Sequence, residues 1–140
     1  MAQQSLPAPN SEWQEYTFQI APSVETTNGV FRISFTDIGT LYLDQISLMG
    51  QDAIDNGGFR PDLYKAIEAL NPPMIRWPGG YFAEFYRWKH GIGKQHERIV
   101  YPAEVWNDRD VNSFRTDEFI KLCRRLGAEP VIVINIGNRY

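Results

Sequence analysis

Pro61-Asp-Leu-Tyr-Lys-Ala-Ile-Glu-Ala-Leu-Asn-Pro-Pro-Met-Ile-Arg-Trp-Pro-Gly-Gly80 changes its hydrophobic period midway. Leu63, Ala66, Ile67 and Leu70 recur at the spacing of one helical face. Pro61 and Asp62 suit a first turn, and Asn71-Pro72-Pro73 stops the helix. Met74 to Trp77 is then a short apolar run that reads as a strand, ended by Pro78-Gly79-Gly80. The same order returns downstream. A helix is predicted from about Thr116 to Leu126, with Thr116 as N-cap, Asp117 and Glu118 at the positive end, and Gly127 as the stop. Its buried stripe is Phe119, Ile120, Leu122, Cys123 and Leu126. Pro130 to Ile136 is a near-continuous apolar run, as expected of a parallel strand covered on both faces. Helix, strand, long loop, helix, strand is α/β order with a parallel sheet. The loop, Tyr81 to Asn112, is rich in aromatics, glycine and charge and shows no clear period.

Upstream the pattern is different. Trp13 to Ile20, Val30 to Phe35 and Thr40 to Leu48 alternate as strands, with Asn28-Gly29 and Ile38-Gly39 as turns between them. Three such strands without a helix suggest an antiparallel sandwich, and three are too few to close one. Gln51 to Gly58 reads as a linker. The expected organisation is therefore a partial β-sandwich over residues 1–50 and an α/β unit over 51–140. A (β/α)8 barrel takes ~250 residues, so the second unit is expected to be part of a larger fold, with apolar surface exposed and poor solubility when isolated.

The 140 residues carry a net charge of −3 and a pI near 5.4, which argues against nucleic-acid binding through a basic face. No apolar stretch approaches the ~20 residues that span a bilayer. The first residues lack the basic and apolar pattern of a signal peptide, and the cellular compartment is left open. The single cysteine, Cys123, allows no intrachain disulfide.

In parallel α/β folds ligands sit at the C-terminal ends of the strands. Two such ends are visible, Arg76-Trp77-Pro78-Gly79-Gly80-Tyr81-Phe82 and Asn135-Ile136-Gly137-Asn138. The glycine pair serves either a tight turn or a close backbone approach to a ligand. No Lys-Ser/Thr follows it, so a phosphate cradle is disfavoured. Arg76 needs a carboxylate or a ligand. Asn135 is a ligand contact or a hydrogen-bond anchor for its loop. Tyr81, Phe82, Phe85, Tyr86 and Trp88 offer flat rings of the kind on which sugars stack, although many must be core. His90 and His96 read as exposed loop histidines with no third metal ligand. Glu84, Glu97, Glu104, Asp108 and Asp110 read as solvated charges.

The run from Gly58 to Gly137 resembles glycoside hydrolase family 51, the α-L-arabinofuranosidases. The matching pieces are Phe59-Arg60-Pro61-Asp62-Leu63, Arg76-Trp77-Pro78-Gly79-Gly80, and Tyr86-x-Trp88 with Gly91-Ile92-Gly93. They continue with Trp106, Asn112-Ser113-Phe114, Asp117-Glu118-Phe119 and Gly127-Ala128-Glu129-Pro130, which leads into Asn135-Ile136-Gly137. Gly39 to Leu48 looks like the closing strand of a carbohydrate-binding-module-like sandwich. Departures from the family pattern are Tyr81 after the glycine pair, Arg115 after Phe114, and Asn138-Arg139-Tyr140.

The resemblance implies a partial (β/α)8 TIM barrel preceded by part of an antiparallel β-sandwich. It implies a retaining enzyme that releases terminal α-L-arabinofuranosyl groups from polysaccharides or oligosaccharides. Two glutamates on later strands would do the chemistry, outside this chain, so no catalytic residue is assigned here. Arg76, Gly79, Gly80, Tyr81, Phe82, Trp88 and Asn135 are the expected substrate-binding residues. No cofactor or metal is implied, nor a nucleic-acid or membrane partner, and family members often form oligomers. The competing expectations are a noncatalytic carbohydrate-binding module, with Trp13, Tyr16 and Tyr42 as its rings, and an inactive barrel remnant.

Overall fold

The centre of the structure is a parallel pair of strands. A computed structural model describes residues 2–36, 38–103 and 106–136. Strand β1 is Met74–Trp77 and strand β4 is Glu129–Ile132, paired from Met74 opposite Glu129 to Trp77 opposite Ile132. A hydrogen bond from Glu129 N to Pro73 O (3.0 Å) opens the ladder, and one from Val133 N to Trp77 O (3.0 Å) extends it. Before β1 lie α1 (Gln51–Asp55) and α2 (Pro61–Leu70). Between the strands come α3 (Phe82–Phe85), two 3-10 turns at Trp88–Gly91 and Gln95–Glu97, an antiparallel hairpin of β2 (Tyr101–Ala103) and β3 (Asp108–Asp110), and α4 (Thr116–Leu126).

Helix α4 packs on the parallel pair through the stripe its sequence predicts: Phe119, Leu122 and Cys123 are buried. Trp77, on β1, stacks on Phe119 at 5.8 Å and meets Tyr86 edge-on at 4.6 Å. Gly127 ends the helix in the left-handed conformation, φ 68°. At its start the N-cap is Arg115, one residue before the expected Thr116, because the Glu118 carboxylate turns back to accept the Arg115 N–H at 2.9 Å.

Other expectations need correction. Gln51 to Gly58 is not a plain linker, since a five-residue helix with one buried side chain, Ala53, occupies its first part. Five residues are too few to show a period. Helix α2 forms between the predicted signals, yet none of its residues is buried. Strand β4 is shorter than the predicted 130–136 run and exposed along its length, because no described element covers its outer face.

The chain divides into two units, Met1–Tyr42 and Leu43–Tyr140. No strand forms among the described residues before Gln51, so the three predicted ones lack ladders here. Val30 is 81% exposed and Leu48 71% exposed, and an alternating run with no second layer gains too little burial to fix its backbone.

Leu63, Leu70, Ile134 and Ile136 leave 53%, 78%, 69% and 89% of their surface in water. We expect the isolated chain to self-associate with concentration and to bind an apolar dye such as ANS. Light scattering checks this, and a monodisperse monomer with a sharp cooperative melt contradicts it.

Candidate functional site

Parallel pairing sends the C-terminal ends of β1 and β4 to one edge, and the loops that follow them meet there. After β1 the Trp77–Pro78 peptide is cis. Gly80 takes φ 59°, a left-handed conformation that disfavours a side chain, and its carbonyl accepts from Ala83 N at 3.2 Å to open α3. After β4 the Asn135 side-chain amide donates to the carbonyl of Glu84. Asn135 is thereby a loop anchor that ties the end of β4 to α3.

The other expected residues distribute around this edge. Arg76 is exposed on β1, with its guanidinium 3.7 Å from where a Cβ on Gly79 would stand. It makes no ion pair with another described residue. Tyr81 is 56% exposed and edge-on to Phe85 at 4.9 Å. Phe82 is half-buried, 5.8 Å from the rings of both Tyr86 and Trp106. Trp88 does not join them: its ring faces Lys89, whose Nζ lies 5.7 Å from the centroid. The edge thus gathers Arg76, Gly79, Gly80, Tyr81, Phe82 and Asn135, while Trp88 stands apart. Gly137, Asn138 and Glu104 lie outside the described residues.

Behind the edge is a network of buried charge. Arg98, whose side chain is 3% exposed, forks onto Glu118 at 2.9 and 3.1 Å and also donates to Gly93 O (3.1 Å) and Asn112 O (2.8 Å). Asn112 is wholly buried, with φ 55°. Its side-chain amide donates to Ile99 O, its Oδ1 accepts from Arg115 Nε, and its N–H donates to Asp110 at 3.0 Å. Arg115 pairs with Asp110 and lies over two rings, 5.7 Å from Phe82 and 5.4 Å from Tyr86.

Burial by itself would raise the carboxyls of this network. Hydrogen bonds from Arg98 and from the Arg115 N–H outweigh it at Glu118 and hold that group below its ordinary 4.5. Asp110 is likewise held below 3.8, by hydrogen bonds from Arg115 and the Asn112 N–H. Tyr101 moves the other way, pushed up to about 12 by burial and by the charge of Asp110.

The stretch that contains this edge matches known proteins. The model of the α-L-arabinofuranosidase 1 domain matches residues 66–140, just over half of the chain. The chain belongs to that family. A probable α-L-arabinofuranosidase C of Aspergillus niger is 41% identical over 88 residues, which are 63% of this chain and 17% of that protein. The arabinose complex of the Thermotoga maritima α-L-arabinofuranosidase superposes with a TM-score of 0.56 at 44% identity, over 59% of this chain and 17% of that one. The family 51 α-L-arabinofuranosidase of Thermotoga petrophila gives a TM-score of 0.55 with the same identity and coverage. The chain therefore spans about a sixth of the length of the relatives it matches. Its second unit is a glycoside-hydrolase-51-type arabinofuranosidase-like domain in part, a mixed α/β fold resembling a portion of a (β/α)8 barrel.

Within this arabinofuranosidase-like domain the charge network escaped a reading by residue type. Asp110 is not a fully solvated charge but the half-buried partner of Arg115, and His90 is half-buried, 5.5 Å from the Tyr101 ring. One signal was present: Glu118 stands three residues after Arg115, the spacing at which a glutamate caps its own helix.

Glu118→Gln strips a buried guanidinium of its counter-charge, a loss of about 3–5 kcal/mol in comparable pairs. We expect hydrogen exchange of the β2 and β3 amides to quicken at least about tenfold. Because both carboxyls are lowered in the folded state, their stabilisation is complete above the ordinary carboxylate range and is lost as pH falls below 4.5 and then below 3.8. Near-UV circular dichroism against pH checks the sign, and an order that improves on acidification refutes it.

Proposed function

We propose that the protein containing this chain is a retaining α-L-arabinofuranosidase that releases terminal α-L-arabinofuranosyl groups from arabinose-containing polysaccharides or oligosaccharides. The observation that carries this reading is the meeting of the β1 and β4 loops at one edge, in a domain of the arabinofuranosidase family. Parallel barrels place their chemistry at that edge. Retention needs two carboxyl groups about 5 Å apart on either side of the glycosidic bond. We assign neither to this chain and infer that both glutamates belong to a part of the protein beyond these 140 residues.

The chain's own contribution is the binding wall. Gly79 and Gly80 let a sugar approach the backbone. Tyr81 and Phe82 offer rings to its apolar face. Arg76, exposed on β1 and without an ion pair among the described residues, offers its guanidinium N–H groups to the sugar hydroxyls. Asn135 sets the loop height through Glu84. We keep Trp88 as a more distant contact, for a longer chain rather than for the terminal arabinose. Residues 1–50 are proposed to belong to a carbohydrate-binding-module-like sandwich, a reading that agrees with Trp13 and Tyr42, each 75% exposed.

The test is hydrolysis of 4-nitrophenyl α-L-arabinofuranoside by the full-length protein, with the anomer of the first product read by NMR. Retention is expected, with kcat/KM reduced at least about a hundredfold in Arg76→Ala and no turnover by the isolated chain. An inverted product, or no hydrolysis by the full-length protein, overturns the assignment. In the latter case, arabinoxylan binding lost in Trp13→Ala would favour the noncatalytic binding module.

A further inference from the structure

We propose that Arg115 is the positioning residue of the binding wall: it holds the Phe82 ring in the orientation that receives the glycan. The inference rests on the reading above and deepens it. Phe82 opens a helix of four residues, Phe82–Phe85. One turn of helix has almost no stability of its own, so the direction of its first ring must be set by tertiary contacts. Among the described residues its ring and cation contacts are Tyr86 and Trp106, each 5.8 Å away, and the Arg115 guanidinium at 5.7 Å. Trp106 is itself 59% exposed at the tip of the β2–β3 hairpin and is a poor anchor.

Arg115 is held at several points. It is 5% exposed, pairs with Asp110, donates through Nε to Asn112, and donates through Nη1 to Phe114 O at 3.2 Å. Its aliphatic stem runs along Gly91, where an added Cβ would come within 2.9 Å of Arg115 Cβ and closer still to Cγ. The guanidinium face that remains covers Phe82 and Tyr86. A cation held over a ring prefers one ring orientation. One side chain therefore fixes the hairpin, through Asp110, and the wall, through Phe82.

The experiment is a double-variant cycle in the full-length protein with 4-nitrophenyl α-L-arabinofuranoside. Arg115→Gln is expected to raise KM about fivefold, the scale of a lost cation–π contact, with kcat within about twofold. Arg115→Lys should recover part of that loss. Phe82→Leu combined with Arg115→Gln should be no worse than Phe82→Leu alone, because the arginine acts through that ring. An unchanged KM in a variant that melts like the parent, or strictly additive losses, overturns the proposal. If Arg115→Gln does not fold, the cycle of Arg115→Lys with Phe82→Leu carries the same comparison. Should the parent show no turnover, the proposed function fails by itself. Near-UV circular dichroism then still decides: an aromatic band weakened by Arg115→Lys at unchanged far-UV signal supports the hold on Phe82, and an unchanged band overturns it.

Discussion

The carboxylate of Glu118 does two things at once, and the order behind the shared strand edge depends on both. It accepts the fork of Arg98 from the loop before β2, and it accepts the N–H of Arg115 at the mouth of α4. The first bond compensates a guanidinium taken almost entirely out of water. The second satisfies a donor at the helix start and favours negative charge where the peptide dipoles are positive. Since the same oxygens serve the helix and the loop, neither can move without exposing a charge the other has buried. Asn112 completes the arrangement. Its N–H, its carbonyl and both ends of its side chain are engaged, which is why a left-handed conformation at a non-glycine residue is tolerated there.

This rigidity contrasts with the parallel pair it supports. Two strands of four residues each are a minimal sheet. Helix α4 covers one face through Phe119, Leu122 and Cys123, while the other side of β4 and most of the apolar face of α2 remain in water. Hydrophobic burial alone is thus a weak determinant of the edge. Long-range polar ties make up the difference, including Asn135 to Glu84 across the two loops and Arg125, stacked on Tyr64 at 4.5 Å, to Asn56 between α1 and α2.

What was legible in the sequence follows from this division. Helix α4 announces itself by period, because the burial of Phe119, Leu122 and Cys123 leaves a repeating trace, and strand β1 is legible as an apolar run bounded by Pro73 and Pro78. The bounds of α2 are legible as well, through Pro61 and Asn71, although its stripe finds no cover among the described residues. The Gly79-Gly80 turn is legible because few residues tolerate that backbone. The hairpin, the 3-10 turns and the charge network are not. Their stability comes from single hydrogen bonds between residues far apart in the chain, such as Arg98 with Glu118, and such bonds have no period. A carboxylate like Asp110 looks solvated until the guanidinium above it is known. Before Gln51 the opposite failure occurs: a clear alternation predicts strands, and the described residues supply no partner for them to pair with.

A wall built in this way separates two tasks. Under the proposed reading, the backbone around Gly79 and Gly80 admits the sugar, and its position is set by the strand ladder. The rings of Tyr81 and Phe82 select it, and their position is set by side chains from elsewhere in the loop. The ladder registers β1 against β4 residue by residue, so the backbone part tolerates little change. On the same reading the ring part hangs on Arg115 and the hairpin, elements whose own bonds close on Asp110 and Asn112 rather than on β1 and β4. Substitutions there can retune which glycan is held without disturbing the strand ends. On that proposal, a domain that fixes its strand ends with a ladder and its rings with largely buried charge would vary its specificity by changing loop residues alone.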